Sequence, residues 1–490
     1  MIRKFLKAGA LSALLLLSAC GVKTEYTNAL PKDASMVVAV EVDDVALKAG
    51  LNGKEGERVA KKLKSLLKNG LQGEAARLAE RMVDRPSEAG LSFDDKVYLF
   101  LTPHSEAMAV LVKVDDEGKV EALLEALVKE NIATPLREES GCRWTQVGQL
   151  LCAFNDGTLL LMQPSKGDAM RMKTTLLSLM RQQEGEGFPA LPEFAKVQAE
   201  GNDIASVVNL NAVSRNYTTA LRMGLSADIR LEDIKYFVTA NFGQGSVKIH
   251  AESLIANPKV EAFFDRMEQI LHPVEGRYLD CFQGNTMLWT GANVRGKELY
   301  DMLRRNPSIR QQLDNPPLPV DVASIFAAID GDVAIGVSSM QKAEFMLYAD
   351  VTDSRFLQTF EDLRPLLALT GGQISLYDTG KDEYMMRTYY GDFWFGVKKN
   401  TLYVTNVRAM AEEAGRTYGA SMAVKPWSGE VKKNRLFVSA NMKDYKQLFL
   451  HLMETLNVAI PDGKEADAEI ILKDKQANLL KQLVDTLVEM

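Results

Sequence analysis

The sequence predicts an α+β fold: two tandem, pattern-related halves, each an antiparallel sheet meander with helices packed on one face. Three observations carry this. Apolar residues switch between the two-residue period of strands and the 3.6-residue period of helices in one recurring order. That order returns after 236 residues, from Val97 to Val333 in a strand and from Leu124 to Phe360 in a helix. Turn signals at Asp156-Gly157 and Lys399-Asn400 separate adjacent strands, as antiparallel hairpins require.

Composition limits the function classes. The chain has 490 residues, 58 Lys and Arg against 65 Asp and Glu, and a net charge of −7. At 46% apolar and 25% charged it belongs with globular proteins rather than disordered ones. Its acidic balance argues against a nucleic-acid partner. No apolar run of roughly 18 residues occurs, so a polytopic membrane protein is excluded.

The elements follow in chain order. Residues 1–19 read as a signal peptide. Arg3, Lys4 and Lys7 form a basic n-region, and Ala8 to Leu17 an apolar h-region too short to span a bilayer. Leu17-Ser18-Ala19-Cys20 then resembles a bacterial lipobox, with Cys20 as the lipid attachment site. Two or more acyl chains anchor a protein stably, where one does not. Residues 20–28 form a tether; nine extended residues reach roughly 30 Å. Cleavage removes three cations, leaving 55 basic against 65 acidic residues.

The first half spans 29–275 and the second 276–490. Strands at 95–101 and 107–114 precede a helix whose apolar face is Val120, Leu123, Leu124, Leu127 and Val128. Strands at 333–337 and 343–351 precede a helix with Phe356, Leu357, Phe360 and Leu363. The hairpin Leu150 to Gln163 matches Phe393 to Asn406. Val247 to Ile249 with the helix Val260 to Leu271 matches Ile470 to Leu472 with the helix Leu479 to Val488. A strand, a polar residue and a helix recur four times, with Asp43 or Asp44, Asn211, Asn293 and Asn441 at the junction, where N-capping accounts for them. Residues 54–84 add a helical stretch broken at Asn69-Gly70.

Export implies an oxidising compartment. A turn centred on Val147 places Cys142 opposite Cys152, a candidate disulfide; the alternative is two buried, unpaired thiols. Cys281 is left over.

After the tether comes Leu30-Pro31-Lys32-Asp33-Ala34-Ser35-Met36-Val37-Val38-Ala39-Val40, and a helix opens near Leu47-Lys48-Ala49-Gly50-Leu51. This opening resembles Bacteroidetes lipoproteins of the domain-of-unknown-function 4836 family. The resemblance implies an exported, membrane-anchored α+β protein, with no assigned activity and no functional residue beyond Cys20. Surface-directed lipoproteins of this type carry an acidic run after the cysteine. Here only Lys23 and Glu25 follow, which favours an outer-membrane anchor facing the periplasm over the cell surface.

No catalytic constellation emerges. The four His (His104, His250, His272, His451) have no metal-ligand spacing, so neither a metal nor a cofactor is expected. Ser65 and Lys68 fit S-x-x-K without its partner motifs. Gly291 to Lys297 fits seven positions of a P-loop, but Glu298 stands where Mg²⁺ needs a hydroxyl. Paired carboxylates at Asp43-Asp44, Asp94-Asp95, Asp115-Asp116 and Asp330/Asp332 sit at element junctions, where capping and turn roles dominate. Two features suit binding. Tyr384 to Phe395 packs six aromatics around a Gly391-Asp392 turn, and Tyr384, Tyr389, Tyr390 and Trp394 are candidates for stacking on sugar rings; the alternative is a strand pair with buried rings. Arg58 to Lys68 has an apolar stripe (Val59, Leu63, Leu66, Leu67) and a basic remainder (Arg58, Lys61, Lys62, Lys64, Lys68), suited to anionic headgroups or to the solvated face of a docked helix. The expected function is a non-enzymatic binding or scaffolding lipoprotein whose partner is an envelope protein or a glycan. The alternative is an envelope hydrolase using paired carboxylates.

Overall fold

The computed structural model describes residues 25–102, 107–163, 169–213, 229–316, 318–339, 341–445, 447 and 449–489. The signal segment, Cys20 and His104 lie outside them. The chain divides into two compact units, one up to Ser206 and one from Val207. Both are mixed α+β, and every strand pairing described below is antiparallel.

The first unit holds β1 (Met36–Val40), β2 (Leu91–Ser92), β3 (Val97–Leu101), β4 (Met108–Val114), β5 (Arg137–Glu139), β6 (Cys142–Val147), β7 (Leu150–Phe154) and β8 (Thr158–Met162). Its sheet runs β5-β6-β7-β8-β4-β3-β1, with β2 also on β4. Asn155 makes the β7–β8 turn, its side-chain oxygen accepting from the backbone N–H groups of Gly157 and Thr158. Val112, Phe154 and Leu159 pack on one sheet face with Val120 and Leu124 of the helix Glu117–Lys129. Asp116 caps that helix. Tyr26 to Ala29 are buried, and the Tyr26 hydroxyl donates to the Lys96 carbonyl at 2.9 Å. The folded body therefore takes in residues assigned to the tether, which stops short of Tyr26.

The strand β9 (Ile204–Asn209) crosses the division. The second unit holds β10 (Ile234–Phe242), β11 (Ser246–Ile255), β12 (Leu271–His272), β13 (Leu288–Arg295), β14 (Ile329–Ser339), β15 (Glu344–Val351), β16 (Ser375–Gly380), β17 (Glu383–Thr388), β18 (Gly391–Lys398), β19 (Thr401–Thr405), β20 (Leu436–Asn441), β21 (Met453–Ile460) and β22 (Glu465–Leu472). Its order is β10-β11-β22-β21-β20-β13-β14-β15-β19-β18-β17-β16.

The run β16-β17-β18-β19-β15-β14-β13 has the same order as β5-β6-β7-β8-β4-β3-β1. In each case helical turns link the strand at the fifth place to the strand at the edge. In the first unit that link is one helix. In the second it breaks into Gln358–Glu361 and Arg364–Ala368, where Pro365 has no backbone N–H to continue the ladder. The matched segments β10-β11-helix Pro258–Ile270 and β21-β22-helix Leu479–Glu489 lie side by side, β11 pairing with β22 from Ser246↔Ile471 to Glu252↔Glu465. Lys399 and Asn400 both have positive φ, 50° and 62°, the turn whose twist matches flanking strands.

Several local expectations are corrected. The β6–β7 ladder sets Thr145, not Cys142, opposite Cys152, a three-residue difference in register. Because three is odd, Cys142 belongs to the other sheet face. Both are free thiols, as is Cys281. Among the junction residues, Asn209 rather than Asn211 accepts the N–H at its helical turn. Asp43 and Asp44 lie inside the first turn of the helix Val42–Lys48. Asn441 accepts from Lys443 N, closing a local turn. Asn293 lies within β13 and donates to buried Asp332.

Candidate functional site

Register builds the candidate site. On one face of the second unit's sheet, two successive rungs cross five strands from β10 through β11, β22 and β21 to β20. One rung is Asn241, Lys248, Glu469, Asn457 and Ser439. The other is Thr239, His250, Asp467, Ala459 and Phe437. These strands are polar on this face toward β10, and the face turns aromatic toward β13. Trp427, at the start of the short helix Ser428–Val431, stacks on Phe437 with centroids 5.2 Å apart and planes 26° apart. Both rings pack with Trp289.

The sheet and the 427–434 segment enclose a groove of about 630 Å³. That lies inside the usual range for small-molecule sites, roughly 300–1,000 Å³. Its walls are ordered by local bonds. Asn434 donates to the Glu430 carbonyl at 2.8 Å, Lys433 pairs with Glu430 at 2.9 Å, and His250 Nδ1 meets Asp467 Oδ1 at 2.8 Å. One group stands apart. Asn457 is 6% exposed, lines the groove, and its Oδ1 has no hydrogen-bond partner. An unpaired buried carbonyl costs about 1–3 kcal/mol.

A second cavity of about 350 Å³ shares Trp427 and lies along the same strands, beside Ser439, Asn441, Thr455 and Ile471. Glu454 at its edge is held by Lys475 at 2.5 Å and Lys443 at 2.9 Å. These two lysines keep its carboxyl below the ordinary range.

The residues singled out by sequence are scattered. Tyr384 is buried and stacks on Phe395 at 5.5 Å, and Trp394 is half-buried against the aromatic core, so neither offers a sugar-stacking face. Tyr389 and Tyr390 form the hairpin tip and are 91% and 89% exposed, packed edge to face. The turn therefore comes earlier than Gly391-Asp392, which begin β18. None of the four lines the groove.

The P-loop resemblance dissolves. Gly291 sits mid-strand, where a Cβ would lie 2.4 Å from the Trp289 ring, and β13 continues to Arg295 directly before the helix Gly296–Leu303. No loop remains to cradle a phosphate.

In three of the four carboxylate pairs one member, Asp95, Asp116 or Asp332, is occupied structurally. Asp332 accepts from Glu275 N, Arg277 N and the Asn293 side chain. Asp95 binds Lys113 and Ser92; burial opposes its ionisation, yet these bonds hold its carboxyl below the ordinary value. Desolvation, then the charge of Asp94, pushes the Asp43 carboxyl up, at an exposed position. Among the described residues no group of three or more His, Cys, Asp or Glu is placed to hold a metal ion.

The groove is not legible in the sequence because its residues come from five strands and the 427–434 segment, up to 230 positions apart in the chain. His250 stands in an alternating strand, but its partner Asp467 carries no local signal.

The family model described as "Domain of unknown function (DUF4836)" matches residues 26–476. The chain belongs to this family. The match begins at Tyr26, the first buried residue among those described, and includes every residue of the groove. No curated protein matches the chain. Two solved structures of TP0453 are distantly similar. Crystal form I has 8% identity and a TM-score of 0.28, covering 51% of this chain and 88% of that one. Crystal form IV has 12% identity and a TM-score of 0.28, covering 48% and 82%.

Proposed function

We propose that this DUF4836 protein is an exported, lipid-anchored binding protein of the bacterial cell envelope. Its groove in the second unit holds a neutral ligand rich in hydroxyl or amine donors, with a saccharide the class that fits best. The observation that carries the reading is Asn457, which lines a groove of about 630 Å³ and whose side-chain carbonyl is buried and unpaired. Saccharides supply several O–H donors, and the rungs around Asn457 supply acceptors for them in Glu469, Asp467 and Thr239. Their apolar ring faces suit the aromatic end formed by Trp427 and Phe437. The lipobox at Cys20 supports the anchor. The plain tether favours a periplasm-facing position on the outer membrane, and the recurring strand order supports two tandem copies of one plan. A binding rather than hydrolytic role is supported by Asp116, Asp95 and Asp332, one member of three of the four carboxylate pairs, which are engaged in a cap, an ion pair and a buried network.

The test is a calorimetric and thermal-shift screen of the protein against envelope saccharides, repeated with Asn457→Leu. At least one saccharide should raise the Tm of the wild type and leave the variant unmoved. A panel with no hits, or a shift that survives in the variant, refutes the reading. Labelled palmitate should enter the wild-type protein in cells and be absent from Cys20→Ser.

A further inference from the structure

The groove and the second cavity stand on the same sheet face. The groove includes Lys248, Glu469 and Asn457 of one rung. The next rung along the same strands is Ser246, Ile471, Thr455 and Asn441. Successive rungs on one face are two residues apart, roughly 7 Å. The second cavity, of about 350 Å³, stands on that next rung, lined by Ile471, Thr455 and Asn441.

One stretch of chain walls both spaces. Met422, Lys425 and Pro426 border the second cavity, and Glu430, Lys433 and Asn434 border the groove. Trp427 falls between these two sets and lines both. Its ring is held in place by the stack on Phe437 and the contact with Trp289. Beside it, the step from Asn457 to Thr455 on β21 and from Glu469 to Ile471 on β22 leads from one space to the other.

The second cavity repeats the chemistry of the groove. Thr286, Ser439, Asn441 and Thr455 bring hydroxyl and amide groups, and Met422 and Ile471 bring apolar surface beside Trp427. Its one lining carboxylate, Glu454, is already tied to Lys443 and Lys475 at the edge. At about 350 Å³ the cavity is at the small end of the range for ligand sites, roughly 300–1,000 Å³, and takes less than the groove does. A ligand filling both spaces is therefore elongated, polar at its edges and apolar on its faces, with its long axis along the strands.

We infer that the groove and the second cavity are consecutive subsites for one ligand, so that the protein selects an oligosaccharide over a monosaccharide. One sugar ring occupies the groove, the linkage passes Trp427, and the next ring enters the second cavity against Met422 and Ile471. Thr455 and Ile471 thereby become specificity-determining positions. The inference rests on the saccharide reading of the groove and adds a chain length to it.

The test is calorimetry on the chain from residue 20 onward carrying Cys20→Ser, which retains every described residue. N-acetylglucosamine is compared with its β1,4-linked dimer and tetramer, and glucose with maltose and maltotetraose. In at least one series the dimer should bind on the order of tenfold more tightly than the monosaccharide, and the tetramer no more weakly than the dimer. Thr455→Trp and Ile471→Trp each place an indole in the second cavity. Both positions are only half-buried, so Tm should stay within a few degrees. In each variant the advantage of the dimer should disappear while monosaccharide affinity stays within about twofold of wild type. The wild-type comparison needs no variant, and retained monosaccharide binding shows that each variant is folded. A monosaccharide bound as tightly as its dimer, or a dimer advantage that survives both variants, overturns the inference and leaves the saccharide reading standing. Loss of monosaccharide and dimer binding together, at unchanged Tm, shows a single undivided site and also overturns it. Binding in neither series overturns the saccharide reading and this inference with it.

Discussion

Asn293 and Asp332 sit opposite each other on β13 and β14, and the Asn293 side-chain amide donates to the Asp332 carboxylate at 3.0 Å, with both residues buried. Asp332 also accepts from the backbone N–H groups of Glu275 and Arg277, and its own N–H donates to Asp350. Asp350 in turn accepts from the Tyr278 hydroxyl at 2.6 Å and pairs with Arg277 at 2.9 Å. Two carboxylates thus fasten the 275–278 segment to the sheet. Asp332→Ala strands three donors and should cost about 3 kcal/mol or more in urea denaturation. Asp332→Asn keeps acceptor capacity and should cost less. Equal losses would mean that the carboxylate charge, not its hydrogen bonds, does the fastening.

Asn457 should behave in the opposite sense. Its Oδ1 is buried without a partner, so Asn457→Leu removes a penalty while keeping much of the volume. The variant should be about 1 kcal/mol more stable than wild type in the absence of ligand, while losing ligand-induced stabilisation. Gain of stability with loss of binding is what a functional polar group predicts and a structural one does not.

The cysteines should be chemically silent. Burial pushes the Cys152 thiol up to about 12, and it also raises Cys142 and Cys281. At pH 8 the native protein should react slowly with a thiol reagent at all three and completely after denaturation. A peptide map linking Cys142 to Cys152 would show the β6–β7 register to be wrong.

Glu454 sets an acid-side dependence. Lys475 and Lys443 depress its carboxyl in the folded state. A depressed folded value means that the unfolded chain takes up the proton first. The stabilisation is therefore complete above the unfolded value, roughly pH 4.3, and is lost as pH falls through the lower folded value. Glu454→Gln should lose about 1 kcal/mol at pH 6 and nothing against wild type at the acid end, compared by urea unfolding.

Much of the fold was legible because its signals are local. The helix Glu117–Lys129, the hairpin turns at Asp156-Gly157 and Lys399-Asn400 and the break between the helices Lys54–Gly70 and Gly73–Asp84 follow from residues a few positions apart. Errors came where a neighbour distant in sequence decided the outcome. Asn293 sits at a strand-to-helix junction and reads as a cap, but Asp332 lies across the ladder and claims its amide. Cys142 and Cys152 read as a facing pair, but the turn centre moved and parity separated them.

By itself the sequence determined the α+β class, the antiparallel hairpins, the recurring order of elements, the basic amphipathic helix and the absence of any known catalytic motif. Periodicity, turn chemistry and composition act over a few residues, and a single chain displays them in full. Only the tertiary structure decided which residues form the groove, which aromatics are buried and which polar groups lack partners. Asn457, His250, Asp467, Phe437 and Trp427 come together through ladder register and packing between strands far apart in the chain, and burial is a property of that assembly rather than of any residue in it.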